Sequence, residues 1–456
     1  ILIGLVGSEM CIRDSNWKER YLTEVNAAYT GSEKFAPGKR FGFFPSFSVG
    51  WRVTEEPFMK RVREKWLSSL KVRYSYGMVG SDKGAPRFNY IQEYGSGGSV
   101  NFGKDQNYAY GPLYNEGKLA YRDATWETAV KQNFGVDMTI LNKLHLVVDL
   151  FSENRTGILM SRNTMGPWLG ASLPSMNLGE TKNHGIELDL GWNDKIGKNF
   201  TYSVKFNFAT SENRVVFKDD PADLPYYMKS AGKPIGTEYK YIVSGNLNSI
   251  DDIFNYTQSN IENGVQPRLV PGDFAYLDFN GDGVIDSKDL VPMEYVSYPL
   301  TTYGLTLSAG YKGLNVSALF YAATDVYREQ IGTLLWDFDG GKIIAQPNAL
   351  DRWTVDTQSD TEILRPSVHQ TNNYNSRPST YTYVNHAFLR LKNLEISYSL
   401  PKNWIKKVGL SRCQIYVNGN NLFTISGIDD RRDPETASAS VYPIVRRYNV
   451  GTRISF

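Results

Sequence analysis

Asp278-Phe279-Asn280-Gly281-Asp282-Gly283-Val284-Ile285-Asp286-Ser287-Lys288-Asp289 sets oxygen-bearing side chains at loop positions 1, 3, 5, 9 and 12, with glycine at position 6. A hard cation such as Ca²⁺ takes six to eight oxygens at about 2.3–2.6 Å, and the chain must turn sharply at position 6 to wrap around it. Asp278, Asn280, Asp282, Asp286 and Asp289 are thus candidate metal ligands, with the backbone carbonyl of Val284 supplying position 7. Asp289 stands where a longer, bidentate Glu is usual. The same Asn, Asp and Gly residues also build turns with no metal, because their side chains bond their own backbone; both readings stand. Pro271-Gly272-Asp273 precedes the loop and Val291-Pro292 follows it. Flanking helices are therefore not expected, and a bound cation would stiffen a long loop rather than work a switch.

Other chemistry is thinner. His145, His184, His369 and His386 have no metal-ligand spacing and read as structural. The carboxylate pairs Glu55-Glu56, Asp219-Asp220, Asp251-Asp252 and Asp429-Asp430 read as solvated charge rather than a glycosidase pair. No nucleophile elbow, phosphate loop or dinucleotide fingerprint occurs, and Gly95-Ser-Gly-Gly98 reads as a flexible loop. No catalytic or cofactor-binding residue is expected apart from the cation loop. The chain is read as a non-enzyme.

The elements around that loop are strands. Tyr448, Val450, Thr452, Ile454 and Phe456 alternate with Asn449, Gly451, Arg453 and Ser455, and the chain stops on the aromatic. Successive strand residues point to opposite faces, so such a peptide has one face for lipid or core and one for water. The pattern recurs at Phe47/Val49/Trp51/Val53, Val72/Tyr74/Tyr76/Met78, Phe134/Val136/Met138/Ile140, Ile186/Leu188/Leu190/Trp192, Tyr202/Val204/Phe206/Phe208, Leu314/Val316/Ala318/Phe320 and Leu394/Ile396/Tyr398/Leu400. Strands pair as 126–140 with 143–152, 184–193 with 199–210, and 301–311 with 313–322, across short turns. Long irregular stretches at about 80–120, 211–300 and 323–385 separate the pairs. Short turns at one end and long functional loops at the other are the asymmetry of a transmembrane antiparallel β-barrel. About 14 strands are expected, fewer than the 22 of a plugged transporter barrel.

The 456 residues keep this character throughout and read as one domain. No run approaches the roughly 18 apolar residues of a spanning helix. Fifty Lys and Arg against 48 Asp and Glu, without a basic run, exclude nucleic acid as the expected partner. Cys11 and Cys413 are too few for a disulfide framework. Residues 1–15 lack a starting Met and a signal-peptide pattern and read as non-native sequence, leaving 16–456 as a C-terminal barrel fragment without its plug.

The residues from Phe41 to Phe456 resemble the SusC/RagA-type TonB-dependent outer-membrane transporters of Bacteroidetes. The resemblance rests on Phe43-Phe-Pro-Ser-Phe-Ser-Val-Gly-Trp51, Trp66-Leu-Ser-Ser-Leu-Lys-Val-Arg73, Trp126-Glu127 and Asn133-Phe-Gly-Val-Asp137. It continues through Asn183-His-Gly-Ile-Glu-Leu188, Gly232-Lys-Pro-Ile-Gly236, the 278–289 loop, Phe388-Leu-Arg-Leu-Lys-Asn393, Val417-Asn-Gly-Asn-Asn-Leu422 and Asp433-Pro-Glu435. It implies import of glycans, oligosaccharides or peptides across the bacterial outer membrane, energy from TonB through an upstream region, and a SusD-like lipoprotein closing the mouth. Tyr226, Tyr227, Tyr239, Tyr241, Trp336 and Trp353 are the loop aromatics that could stack on sugars, although packing within the loops suits each of them as well. The rival readings are a secreted or surface Ca²⁺-stabilised β-rich adhesion protein, whose alternating face would be core, and a surface glycosidase.

Overall fold

Period-two runs become long antiparallel strands in the computed structural model, which describes residues 8–102, 108–164, 173–259, 269–330, 345, 347–358, 365, 374–405, 409–428, 432–436, 441–442 and 444–456. Among the described residues fourteen strands join in one sheet. The chain packs as two compact units, one of residues 1–190, 211–224 and 229–235, the other of 191–210, 225–228 and 236–456.

In the first unit β1 (Ser8–Trp17), β2 (Tyr21–Gly31), β3 (Phe41–Arg52) and β4 (Leu67–Ser81) are followed by a hairpin of β5 (Tyr94–Phe102) and β6 (Tyr108–Glu116). Then come β7 (Glu127–Ile140), β8 (Leu144–Met160) and β9 (Met176–Ile196), and the neighbour order is β1-β2-β3-β4-β7-β8-β9. Residues 8–15, set apart in the sequence reading, pair along β2 from Ser8↔Thr30 to Ser15↔Thr23. Gly95–Gly98 is not a free loop: it lies in β5, whose register against β6 shifts at Ser96/Gly98 and Gly98/Val100. Glycine at φ +85 there serves a bulged strand. One end of the ladder carries short links, Lys18–Arg20 and Leu141–Lys143, plus a 53–66 connection that includes helix α1 (Lys60–Lys65). Leu141 and Asn142 both take positive φ, which matches the twist of a two-strand hairpin. Loop 32–40 and the described residues of 82–126 occupy the other end.

In the second unit the hairpin of β9 and β10 (Phe200–Phe217) turns at Gly197, with φ +63. Six short strands follow: β11 (Tyr239–Lys240), β12 (Val243–Asn246), β13 (Gln258–Ser259), β14 (Phe274–Tyr276), β15 (Val284–Ile285) and β16 (Val291–Pro292). The ladder resumes with β17 (Thr301–Tyr311) and β18 (Leu314–Thr324), is interrupted by β19 (Tyr327–Glu329) and β20 (Tyr383–Asn385), and ends with β21 (Phe388–Ser399), β22 (Arg412–Asn420), β23 (Thr424–Ser426) and β24 (Arg447–Ser455). Neighbours run β9-β10-β17-β18-β21-β22-β24, with β23 on β21. Helix α2 (Ile250–Asn255) opens with a Ser249–Asp252 capping box, both halves of which are formed.

Register decides what the two faces are, because a one-residue slip would swap them. In the first unit Thr23, Val49, Tyr74, Phe134 and Leu150 stand in one row; Glu24, Ser48, Ser75 and Asn133 stand in the next, on the opposite face. In the second, Val204, Leu307, Ala318 and Leu394 form one row and Ser203, Ser308, Ser317, Glu395, Asn418 and Asn449 the other. The apolar rows are not packed away: Val204 is 36% exposed, and neither Leu188 nor Phe206 is buried. The dry clusters lie instead in loops. Phe35, Ala85, Ala124 and Trp126 form one in the first unit, and Tyr241, Phe274, Tyr276, Ile285 and Tyr374 form one in the second. A secreted sandwich would bury one face of every strand, which these strands do not do.

Candidate functional site

The polar rows carry the chemistry. In the first unit Arg73 on β4 donates to Asp137 on β7 (Nε–Oδ1 3.1 Å) and to Asp149 on β8 (Nη2–Oδ2 2.5 Å), and Lys71 lies 3.7 Å from Asp137. Arg73 reaches two strands away because its register partner is Gly135: a Cβ there would sit 2.4 Å from the guanidinium carbon. Nearer the loop end, Lys131 pairs with Glu153 at 3.2 Å, and Arg155 pairs with Glu153 at 2.9 Å. A cavity of about 500 Å³ opens on this face, bounded by Asp14, Glu24, Ser48, Lys71, Arg73 and Asn133.

The second unit repeats the arrangement with other residues. Arg453 on β24 binds Glu395 on β21 through both nitrogens, at 2.8 and 3.0 Å. Its guanidinium also lies 4.2 Å from the centre of the Tyr416 ring, which in turn covers Gly451. Gln414 donates to Ser397, Asn449 to Asn418, and the Ser308 and Ser317 hydroxyls share a hydrogen bond at 3.0 Å. Sequence spacing could not pair these groups, since Arg73 is 64 and 76 residues from its two partners.

The 278–289 loop is in the second unit and folds on its own side chains. Asp278 accepts from the backbone N–H groups of Gly281 and Gly283, and Asp282 from that of Val284. Asn280 accepts from the Asp282 N–H, and Asp286 from that of Lys288. Asp289 is fully buried; its carboxylate accepts from Phe279, Asn280 and Asp286 and closes the loop. Gly281 and Gly283 both take the positive φ that such a turn requires. Each oxygen at positions 1, 3, 5 and 9 keeps a lone pair after these bonds, which is the donor chemistry a hard cation uses. Among the described residues, no three His, Cys, Asp or Glu side chains gather as a metal-ligand group. Tyr227 packs its ring edge-on to Phe279 at 4.8 Å and donates to the Lys288 carbonyl. Burial first, then the Asp289, Asp282 and Asp286 carboxylates, raises its pKa.

Of the loop aromatics, Tyr241 and Trp353 are buried and unavailable to a ligand. Trp353 donates to Asn248 and presses on Gly272, whose φ is +92 and whose Cβ would lie 2.6 Å from the indole. Tyr239 donates to the Met228 carbonyl, and among the described ones only Tyr226 stands far out, at 85% exposure. Trp336, His369, Asp429 and Asp430 lie outside the described residues. Two carboxylate pairs expected to be solvated are instead held by the fold, with Glu56 and Asp219 buried: Glu55 binds Arg63, Glu56 accepts from Tyr21 and Trp51, Asp219 accepts from Asn163 and Thr164, and Asp220 from Ser230. His145 shares a hydrogen bond with Thr139, and His184 lies 3.9 Å from Glu212.

One cluster joins two motifs of the resemblance, Phe388–Asn393 and Asp433–Glu435, whose pairing the sequence did not indicate. Arg390 on β21 is almost completely buried and binds Asp433 and Glu435, while Lys392 binds Glu435 and Arg328 donates to the Pro434 and Thr436 carbonyls. Beside it, burial and the nearby Arg328 lower the His386 pKa to about 4.

These features have relatives. The family model described as TonB dependent receptor-like, beta-barrel, matches residues 15–422. TonB-dependent receptor P3 of Formosa agariphila is 26% identical over 474 residues, covering 96% of this chain and 44% of the relative. TonB-dependent receptor SusC of Bacteroides thetaiotaomicron is 26% identical over 450 residues, covering 96% and 42%. The chain therefore spans less than half the length of these relatives. The structure of the RagAB peptide importer in its open-open state superposes with a TM-score of 0.75 at 20% identity, covering 98% of this chain and 46% of that one, which places the fold as an all-β barrel. Among the described residues no helix is long and apolar enough to cross a membrane, which says nothing of a crossing made by strands. The chain belongs to the TonB dependent receptor-like β-barrel family of the bacterial outer membrane.

Proposed function

We propose that this chain forms barrel wall and outer loops of a TonB-driven importer that moves oligosaccharides or peptides across the outer membrane, without catalysing a reaction. A SusD-like lipoprotein is the proposed partner at the long-loop end. The observation that carries this reading is the register: rows of exposed apolar side chains on one face, and rows of paired charges, hydroxyls and amides on the other. A polar wall of many modest hydrogen-bonding groups holds a polar cargo firmly enough to collect it and weakly enough to release it. The relatives and the RagAB peptide importer support the same reading.

Within the same proposal, the 278–289 loop holds Ca²⁺ with oxygens drawn from Asp278, Asn280, Asp282, Val284, Asp286 and Asp289. The ion would stiffen the loop frame that Tyr227 and Phe279 brace.

Deleting the encoding gene in its host, then measuring growth on single oligosaccharides and single peptides, tests transport. Loss of growth on at least one cargo class, restored by the intact gene, is expected, together with recovery of a lipoprotein in the affinity-purified complex. Unchanged growth on every cargo, or recovery of the chain as a folded monomer without detergent, overturns the proposal.

A further inference from the structure

The short-link end of the first unit carries more than barrel turns need. Three links meet there: Arg52 donates to the Arg20 carbonyl at 2.8 Å, Leu141 to the Trp66 carbonyl at 2.7 Å, and the Asn142 N–H to the Ser68 hydroxyl at 2.9 Å. The links 17–21, 52–66 and 141–143 contain eight Lys or Arg against four Glu, a balance of +4. The acids are partly spent already, because Glu55 binds Arg63 and Glu56 binds Tyr21, Trp51 and Arg20. Lys60, Arg61 and Lys65 are exposed and have no carboxylate partner among the described residues.

Large rings stand among these charges. Phe58 is 68% exposed and Trp66 49%, and Lys18 lies over the equally open Trp17 ring at 4.8 Å. Six residues of helix cannot hold that surface for packing, since α1 has no buried side chain. Exposed rings beside unpaired cations suit one environment, the layer between acyl chains and phosphates, where rings sit at the boundary and Lys and Arg extend to the headgroups. The positive balance selects anionic headgroups over zwitterionic ones, each cation contributing to the attraction.

We propose that the short-link end of the first unit is a docking surface for anionic phospholipid, with Lys60, Arg61 and Lys65 meeting phosphates and Trp17, Phe58 and Trp66 seated at the acyl boundary. The second unit has the same pairing at its own links, where Lys312 lies over Tyr311 at 5.3 Å. The inference rests on the membrane reading above.

The test folds the chain into vesicles and measures quenching of its tryptophans by acyl-brominated phosphatidylglycerol and by acyl-brominated phosphatidylcholine. Preference for the anionic lipid of about tenfold is expected at low salt, falling steeply in 0.5 M NaCl. The K60Q/R61Q/K65Q variant, checked for unchanged melting, is expected to bring the preference within about twofold. Equal quenching by both lipids, a salt-independent preference, or a variant that keeps it overturns the docking surface alone. The salt dependence of the unaltered chain decides the matter even if the variant fails to fold. Absence of quenching by either lipid would instead remove the membrane reading.

Discussion

Val204→Arg separates a lipid-facing row from every soluble alternative. Val204 is four residues into β10 from Phe200, about 14 Å along the strand at roughly 3.4 Å per residue. With a strand tilt of about 40° that becomes a rise of about 10 Å, close to the middle of an apolar band about 25 Å tall. Its register neighbours are Leu307 and, beyond, Ala318, so no counter-charge is at hand. An arginine at that depth costs about 2–4 kcal/mol. At an exposed position of a water-soluble sheet the same change costs within about 0.5 kcal/mol. Ser203→Arg is the internal control, since Ser203 faces Ser308 on the polar side, in the row of Glu395. Urea titration of the chain folded into phosphatidylcholine vesicles, followed by tryptophan fluorescence, reads both variants. A drop of at least about 2 kcal/mol for V204R, with S203R near the unaltered chain, is expected. A cost below about 0.5 kcal/mol for V204R, or a larger cost for S203R, would show that the apolar row does not meet acyl chains.

Gly272→Ala forces a positive φ on alanine and drives its Cβ into Trp353, so a loss of about 2–4 kcal/mol confined to the loop cluster is expected; native-state hydrogen exchange at Phe274 and Tyr276 reads it, and unchanged protection there refutes it. His386 has its pKa lowered to about 4 by burial and by Arg328, with Arg432 adding to the effect. Its neutral form favours folding fully above the unfolded value near 6.5, and that contribution disappears as pH falls from about 6.5 through 4. Exchange protection at β19 and β20 should therefore decline across that window, less so in H386Q, and a flat profile contradicts the assignment. Saturating Ca²⁺ is expected to raise the apparent melting temperature of the loop frame by several degrees relative to chelator, with D282N/D286N abolishing the gain; calorimetry showing no heat on Ca²⁺ addition refutes the cation.

What the sequence determined by itself was everything with a short range. Alternation at period two marks strands whatever they pair with, so Val204/Phe206/Phe208 and Val450/Ile454 announce amphipathic strands locally. Lys312-Gly313 and Asn142-Lys143 likewise mark hairpin turns, because turn preference is a property of adjacent residues. The ordered motifs from Phe43 to Glu435 were enough to indicate the family. Only the tertiary structure decided partners and depth. Arg73 needs Asp137, Asp149 and the missing side chain of Gly135, which register alone brings together. Tyr226 and Tyr241 are the same residue type in the same kind of loop, yet one is open and the other sealed beneath Tyr276. Arg390 meets Asp433 across 43 residues, and the Gly95–Gly98 stretch became a bulged strand because β6 lay beside it. Burial depends on what arrives from elsewhere in the chain, and no local periodicity encodes that.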